Sequence, residues 1–266
     1  MNTRSLCGGA GPETWETVPA AFRGNGRLPA PWDAVFGPLR TGSVDDLVVV
    51  GQLGQSLDGR IATNSGHSKY INCEAGLDHL HRLRALVDAV VIGVGTALAD
   101  NPQLTVRRVS GPNPARVILD PRGRLRADAR VLVADGARRL VVTTSDAACA
   151  FPDEVEVVRL PADDGHIAPT TVLAALAARG LRRILIEGGA RTVSGFMSAG
   201  CLDRLHMMVA PVIIGTGRAG LTLAPIERMD HALRPPTRAY ALGEDVLFDC
   251  DLSAARVPIG RAKIST

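Results

Sequence analysis

Short aliphatic and β-branched runs recur from position 47: Leu47 to Val50, Ala89 to Ile92, Val117 to Leu119, Leu140 to Thr143, Val155 to Val158 and Ile184 to Ile186. Met207 to Ile214 is another, interrupted by Pro211. Most are apolar throughout rather than alternating, the pattern of strands covered on both faces. Helical spacing fills the gaps. In 74–88, Leu77, Leu80, Leu83 and Leu86-Val87 recur at helical spacing, and in 170–179 Val172-Leu173 and Leu176-Ala177 form an apolar stripe ahead of Gly180. Residues 191–199 read as a shorter helix stopped at Gly200. Strands alternating with helices predict an α/β fold with a mostly parallel central sheet flanked by helices. Residues 46–266 carry no internal repeat and no linker, so they are expected to form one domain.

Residues 1–45 break this pattern and read as a Pro/Gly-rich N-terminal arm. Gly8-Gly9-Ala10-Gly11-Pro12, Pro19, Gly24 to Gly26, Pro29 and Pro31 punctuate them without sustained periodicity. Yet Trp15, Phe22, Trp32 and Phe36 stand there, in a chain with only 2 Trp, 2 Tyr and 5 Phe. That share predicts that part of the arm packs onto a body or a second subunit; a loose tail is the alternative.

Composition narrows the class. The chain has 266 residues, 46% of them hydrophobic, and 30 Lys+Arg against 27 Asp+Glu give a formal charge of +3. That balance excludes bulk disorder and leaves enough chain for a sizeable core. It is no nucleic-acid footprint either, and aromatics at 3% offer few stacking platforms. Charged residues such as Asp88 and Glu187 interrupt every apolar stretch, so no transmembrane helix is expected, and the N-terminus shows no secretory signal. Cys7, Cys73, Cys149, Cys201 and Cys250 are scattered without a CxxC, which fits reduced cytoplasmic thiols better than a disulfide framework or a zinc site. His79 and His81 are spaced wrongly for a helical metal site. A soluble protein acting on a small molecule remains.

Several strings bear on chemistry. Gly215-Thr216-Gly217-Arg218-Ala219-Gly220 matches GxGxxG, but Pro225 follows where a helix would have to open, so a loop is expected rather than a dinucleotide fingerprint. Gly93-Val94-Gly95-Thr96 follows a strand, where glycines admit a ligand close to the backbone, though tight turns look the same. Glu187-Gly188-Gly189-Ala190-Arg191-Thr192 stands between a buried strand and a helix, where open α/β sheets bind ligands and helix N–H groups favour anions. Glu187 would then face the crevice, or serve as a solvated helix cap. In Ser56-Leu57-Asp58-Gly59-Arg60 the Asp-Gly pair reads as a turn.

Taken in order, these pieces resemble the C-terminal reductase domain of the bifunctional riboflavin-biosynthesis deaminase/reductases. The matching stretches are Gln55 to Thr63, Gly66 to Ile71, Leu83-Arg84, Asp88 to Thr96 and Ala99 to Arg107. Later come Arg116 to Asp120, Ile186 to Gly189 and Ala210 to Gly215. The resemblance spans 47 to about 250 and lacks the deaminase half. It implies a dihydrofolate-reductase-like fold and NADPH-dependent reduction of 5-amino-6-(5-phosphoribosylamino)uracil, with hydride added at C1′ of the ribosylamine. A phosphorylated pyrimidine-like substrate, a cytoplasmic location and a homodimer are expected on the same ground; nucleic acid, membrane and metal are not.

The resemblance also implies the site. Ser68, Arg84, Leu104, Arg107 and Glu187 correspond to substrate contacts, the arginines suiting a phosphate. Gly54, Tyr70, Thr96, Asp100 and the stretch Gly189, Ala190, Arg191, Thr192, Val193, Ser194 and Gly195 correspond to NADPH contacts. Asp100 and Glu187 are the expected catalytic carboxylates, the first near the reacting centre and the second orienting the substrate. Arg122 and Arg124, after Leu119, could take the cofactor's 2′-phosphate, or sit solvated in a turn. Tyr70 replaces the family's usual Trp. Gln52 stands where the family carries a lysine near the reacting centre, and Gln55 replaces a small residue. Gln52 supplies neither charge nor a titratable proton. Two rivals therefore stay open: a reductase of another pyrimidine, pterin or imine, and a non-catalytic NADPH-binding protein on the same fold.

Overall fold

The computed structural model describes residues 4–5, 15–42, 44–69 and 71–260. Its strands run β1 (Arg4–Ser5), β2 (Val48–Ser56), β3 (Arg60–Thr63), β4 (Ala89–Gly93), β5 (Ala115–Leu119), β6 (Arg139–Thr144), β7 (Val155–Leu160), β8 (Arg183–Glu187), β9 (Arg204–Ala210), β10 (Gly217–Ala219), β11 (Thr237–Leu242) and β12 (Asp245–Asp251). The helices are α1 (Val18–Arg23), α2 (Trp32–Phe36), α3 (Glu74–Leu86), α4 (Val94–Asp100), α5 (Pro169–Ala177) and α6 (Ala190–Ser198). One sheet has the order β1-β11-β12-β9-β2-β8-β4-β5-β6-β7, and β3 and β10 form a separate two-stranded sheet. From β9 to β7 every neighbouring pair is parallel; β12 is antiparallel to both β9 and β11. The α/β architecture with a mostly parallel sheet is the one the alternating runs predict.

The uninterrupted apolar runs have the expected cause. Alternate residues of one strand enter different cores: Val48 and Val50 face the layer holding α1, α2 and α3, whereas Leu47 and Val49 face the layer of α5 and α6. Val90 and Ile92 likewise oppose Val91, and all three are fully buried. The run expected from Met207 to Ile214 ends at Ala210, because Pro211 lacks the N–H that another ladder step would need.

The N-terminal aromatics belong to the first of these cores. Trp15, Phe22, Trp32 and Phe36 are all buried, and Trp15, Trp32 and Phe36 meet in edge-on and stacked contacts at 5.5 to 5.9 Å. The Arg82 guanidinium of α3 lies 4.7 Å from the Trp32 ring, and Trp15 Nε1 donates to the Ser110 carbonyl at 2.8 Å. No helix among the described residues is long and apolar enough to cross a membrane.

Candidate active site

Strand β8 lies between β2 and β4, so the chain passes from β2 to β4 through α3 and returns later to fill the gap. Open α/β sheets bind ligands at such reversals, beyond the carboxyl ends of the strands. A cavity of about 760 Å³ occupies that position, lined by Gln52 and Gly54 of β2, Gly93 to Thr96, Arg122 and Arg124, and Gly188 to Thr192. Ser68, Asp100, Gly195 and Arg218 also face it.

Two strand-to-helix junctions build its floor. Gly93 ends β4 and α4 starts at Val94, so the glycine-threonine string is a helix entry rather than a simple turn. A Cβ on Gly93 would lie 2.6 Å from Thr192 Oγ1, which is why α6 can approach here. At the second junction, Gly188 takes φ +85° and Gly189 opens α6. The Gly189 N–H donates to Thr96 Oγ1 at 3.0 Å, tying the junctions together. Helix α6 has no side-chain cap, and Ala190 and Arg191 line the cavity, so its first-turn N–H groups suit an anion. Gly95 and Gly195 face open space, leaving their backbones free for close approach by a ligand. Arg122, Arg124 and His166 stand along the same cavity wall as the start of α5.

Among the residues expected from the resemblance, Ser68, Gly54, Thr96, Asp100, Gly189, Ala190, Arg191, Thr192 and Gly195 line this cavity. Val193 and Ser194 turn away from it. Val193 is fully buried in the α5–α6 core, and the Ser194 hydroxyl accepts the Thr222 N–H at 2.9 Å. The end of the helix meets the cavity with its first turn, whereas Val193 and Ser194 already lie on sides that pack against the core and against Thr222. Gly54 has a reason of its own to be glycine: a Cβ would lie 1.9 Å from Asn72 Oδ1. Tyr70 lies outside the described residues.

The remaining expected substrate contacts form a neighbouring cluster. Arg84 Nε donates to Glu187 Oε2 at 2.9 Å, Arg84 Nη2 to Glu187 Oε1, and Arg84 Nη1 to the Thr105 carbonyl at 3.2 Å. Both residues are buried, so the Glu187 carboxylate is engaged by α3 instead of standing open to the crevice. The Leu104 side chain is in the core, with φ +56°. Arg107 is exposed; among the described residues its guanidinium reaches Thr105 Oγ1, at 3.5 Å, and its N–H donates to His81 Nδ1 at 3.1 Å. Partial desolvation by its neighbours and the Arg84 charge both weaken its hold on a proton, whereas Glu187 opposes them. Arg107 is therefore the cation of this cluster left open to a ligand.

Gln52 is buried and in register with Glu187 on one side and His206 on the other, and His206 pairs with Asp249 of β12. Register partners point to the same face, so one row runs Glu187, Gln52, His206, Asp249 across four strands. The row is covered by α3, where His79 Nε2 lies 3.0 Å from His206 Nδ1. Burial pushes the His79 imidazole well below its ordinary value, and His206 and Arg82 push the same way against Asp249. His206 and then the Arg204 guanidinium hold Asp249 down to about 2 despite its burial.

At Asp100, desolvation of the carboxyl turned into the cavity pushes its proton affinity up, and the Arg218 guanidinium opposes that. Arg218 is a cavity residue that sequence reasoning passed over. It sits in the GxGxxG look-alike, where Gly217–Ala219 pairs antiparallel with Arg60–Thr63 and no helix follows. In the sequence it is an arginine beside glycines, in a string whose loop character alone gives it no role. No group of three or more metal-ligating side chains occurs among the described residues.

Comparison with known proteins shows the family. The family model of the RibD C-terminal domain matches residues 48–248. A 2,5-diamino-6-ribosylamino-4(3H)-pyrimidinone 5′-phosphate reductase of Methanothermobacter thermautotrophicus is 35% identical over 210 residues, covering 73% of this chain and 93% of that protein. The reductase of the same name from Archaeoglobus fulgidus is 37% identical over 172 residues, covering 60% and 78%. Among solved structures, a deaminase/reductase from Thermotoga maritima superposes with a TM-score of 0.67 at 29% identity, over 77% of this chain and 56% of its own. The chain thus spans about half the length of that bifunctional enzyme. With the family model matching most of its length, the chain belongs to the RibD C-terminal domain family.

Proposed function

We propose that the chain is an NADPH-dependent reductase that converts a ribosylaminopyrimidine 5′-phosphate to the ribitylamino compound. The observation that carries this reading is the glycine-floored cavity at the ends of β2, β4 and β8, with an uncapped helix start, two arginines along one wall and a carboxylate at Asp100. Those features fit a nicotinamide dinucleotide: the Ala190 and Arg191 N–H groups suit its pyrophosphate, and Arg122 with Arg124 suits a 2′-phosphate. A bound reduced nicotinamide supplies the hydride. The chain's own residues bind, orient and manage the proton. Reduction at C1′ adds a hydride to carbon and needs a proton at the adjoining nitrogen or oxygen. Asp100 is the carboxyl group that lines the cavity and could hold that proton, and partial desolvation there favours its protonated form. Gln52 can orient a polar substrate by hydrogen bonding but adds no charge. We assign the substrate phosphate to Arg107, exposed beside the buried Arg84–Glu187 pair.

Two pyrimidines fit the chemistry. One is 5-amino-6-(5-phosphoribosylamino)uracil, implied by the family resemblance. The other is the diaminopyrimidinone for which the archaeal relatives are named, and the 93% coverage of the Methanothermobacter protein favours it. Oxidation of NADPH with each compound in turn tests the proposal. Turnover with either supports a pyrimidine reductase, and no turnover with both sinks it. The homodimer belongs to the same proposal and is read by sedimentation.

A further inference from the structure

Asp58 is at the β2–β3 turn, outside the cavity lining, and its carboxylate reaches a distant part of the chain. It accepts the N–H groups of Ile214 at 3.1 Å and Gly215 at 2.7 Å, and the Ser56 hydroxyl at 2.6 Å. Those donors hold its carboxyl down to about 2, so it is charged throughout the range in which the protein works. The same loop is tied twice more: Arg60 Nε donates to the Gly215 carbonyl at 3.0 Å, and the Leu57 N–H donates to the Val212 carbonyl at 2.8 Å.

Strand β10 follows directly and pairs with β3. A Cβ on Gly217 would come within 2.4 Å of the Ala62 carbonyl oxygen, so the two strands lie as close as a glycine permits. The pair forms one wall of the cavity through Ile61, Ala62, Arg218 and Ala219. The Arg218 guanidinium lies over Gly66, where a Cβ would be 2.9 Å from Nη2. Arg218 and Asp100 line the same cavity, so the guanidinium charge acts on the carboxyl across it.

We propose that Asp58 is a positioning residue: by fastening the 212–215 loop to the β2–β3 turn, it holds Arg218 on β10 at the cavity as the charge partner of Asp100. This assigns a role to the Ser56-Leu57-Asp58-Gly59 string that its turn conformation alone does not give. The inference rests on the reading of Asp100 as a working group of the reductase site.

The test reads Asp100 directly, by carboxyl-carbon NMR titration of the ligand-free protein, beside the pH dependence of kcat/KM. Arg218→Ala should raise the pH at which Asp100 titrates by about half a unit, the size expected of one charge acting through a water-filled cleft. Asp58→Asn should move it the same way, and adding it to Arg218→Ala should move it little further. Arg218→Lys should restore most of the wild-type value. Added salt should shrink the wild-type difference, because the partner is solvent-exposed. Arg60→Ala, which cuts another tie of the same loop, gives a weaker form of the Asp58→Asn effect and serves if that variant does not fold. An Asp100 titration unmoved by Arg218→Ala, or a loss of thermal stability in Asp58→Asn with the titration unmoved, overturns the proposal. If the titrations shift as stated but Asp100→Asn leaves the kinetic pH profile intact, the positioning holds and the reaction role of Asp100 falls.

Discussion

Arg84 on α3 and Glu187 at the end of β8 grip each other through two parallel hydrogen bonds, 103 positions apart in sequence and both buried. The pairing fixes the helix against the strand end that opens into the cavity. Removing one partner strands a charge in a site shielded from water, which costs about 3–5 kcal/mol. Urea unfolding of Arg84→Met and Glu187→Met should each show a loss on that scale. The double variant Arg84→Met/Glu187→Met should lose clearly less than the sum, because no uncompensated charge remains. Additive losses would mean that the two do not act as a pair.

Arg107 is the cation of that cluster still open to a ligand. Arg107→Ala should weaken substrate binding by about ten- to a hundredfold, corresponding to about 1.5–3 kcal/mol for a charge-assisted contact. NADPH affinity, measured by fluorescence titration, should stay nearly unchanged. A collapse of cofactor binding instead would put Arg107 in the wrong half of the site.

Arg122 and Arg124 stand on the cavity wall, where a dinucleotide's 2′-phosphate could reach them. The Arg122→Ala/Arg124→Ala variant should lose affinity for NADPH while keeping its affinity for NADH. Parallel titrations with the two cofactors decide it: equal affinities in the wild type remove the assignment.

His79 is fully buried beside His206 and is held neutral in the folded protein. In the unfolded chain it protonates near the ordinary value of about 6.5. Below that pH the unfolded state binds the extra proton, so folding stability falls as pH drops from about 6.5, by up to about 1.4 kcal/mol per pH unit from this one group. Asp249 does not add to this slope, since its carboxyl is ionised in that window in either state. Stability measured between pH 7 and 5 should show the decline, and His79→Gln should make it shallower, leaving the share of His81, whose imidazole burial and the neighbouring arginines push down to about 3. An equally steep decline in the variant would assign the slope to other groups.

Legibility tracked how each residue is buried. The strands β4, β5 and β8 announced themselves because both of their faces are covered. The hairpin β11–β12 did not, because in β12 half-buried Phe248 and Cys250 alternate with buried residues that include Asp245 and Asp249, and β11 mixes the exposed Arg238 with buried positions. Helix α4 hid behind Gly93 and Gly95, which read as a turn. β3 and β10 are too short to show a period. In the site, the Gly188-Gly189 junction was readable from strand, glycines and helix in succession. The engagement of Glu187 by Arg84 was not, because it joins residues that only the fold brings together. Arg218 escaped for the same reason: its partner strand and its loop clasp at Asp58 lie about 160 positions upstream.

Gln52 is buried, lines the cavity and lies in register between Glu187 and His206. If the site reduces a ribosylaminopyrimidine, Gln52→Lys should raise kcat more than it changes substrate affinity, since a cation there acts chiefly on charge developing in the transition state. If the site serves a substrate recognised by a neutral amide, the same change should lower activity on it, because an unpaired ammonium in a partly dehydrated cavity is unfavourable. Steady-state rates of the variant and the wild type separate these outcomes.

The most direct measurement is NADPH oxidation by the purified chain, followed spectrophotometrically with 5-amino-6-(5-phosphoribosylamino)uracil and with 2,5-diamino-6-ribosylamino-4(3H)-pyrimidinone 5′-phosphate, the ribityl product being confirmed by mass. A pyrimidine reductase turns over at least one of them, and Asp100→Asn lowers that rate by about a hundredfold or more, as expected for loss of a general acid. No oxidation with either compound, while NADPH still binds, would contradict the account.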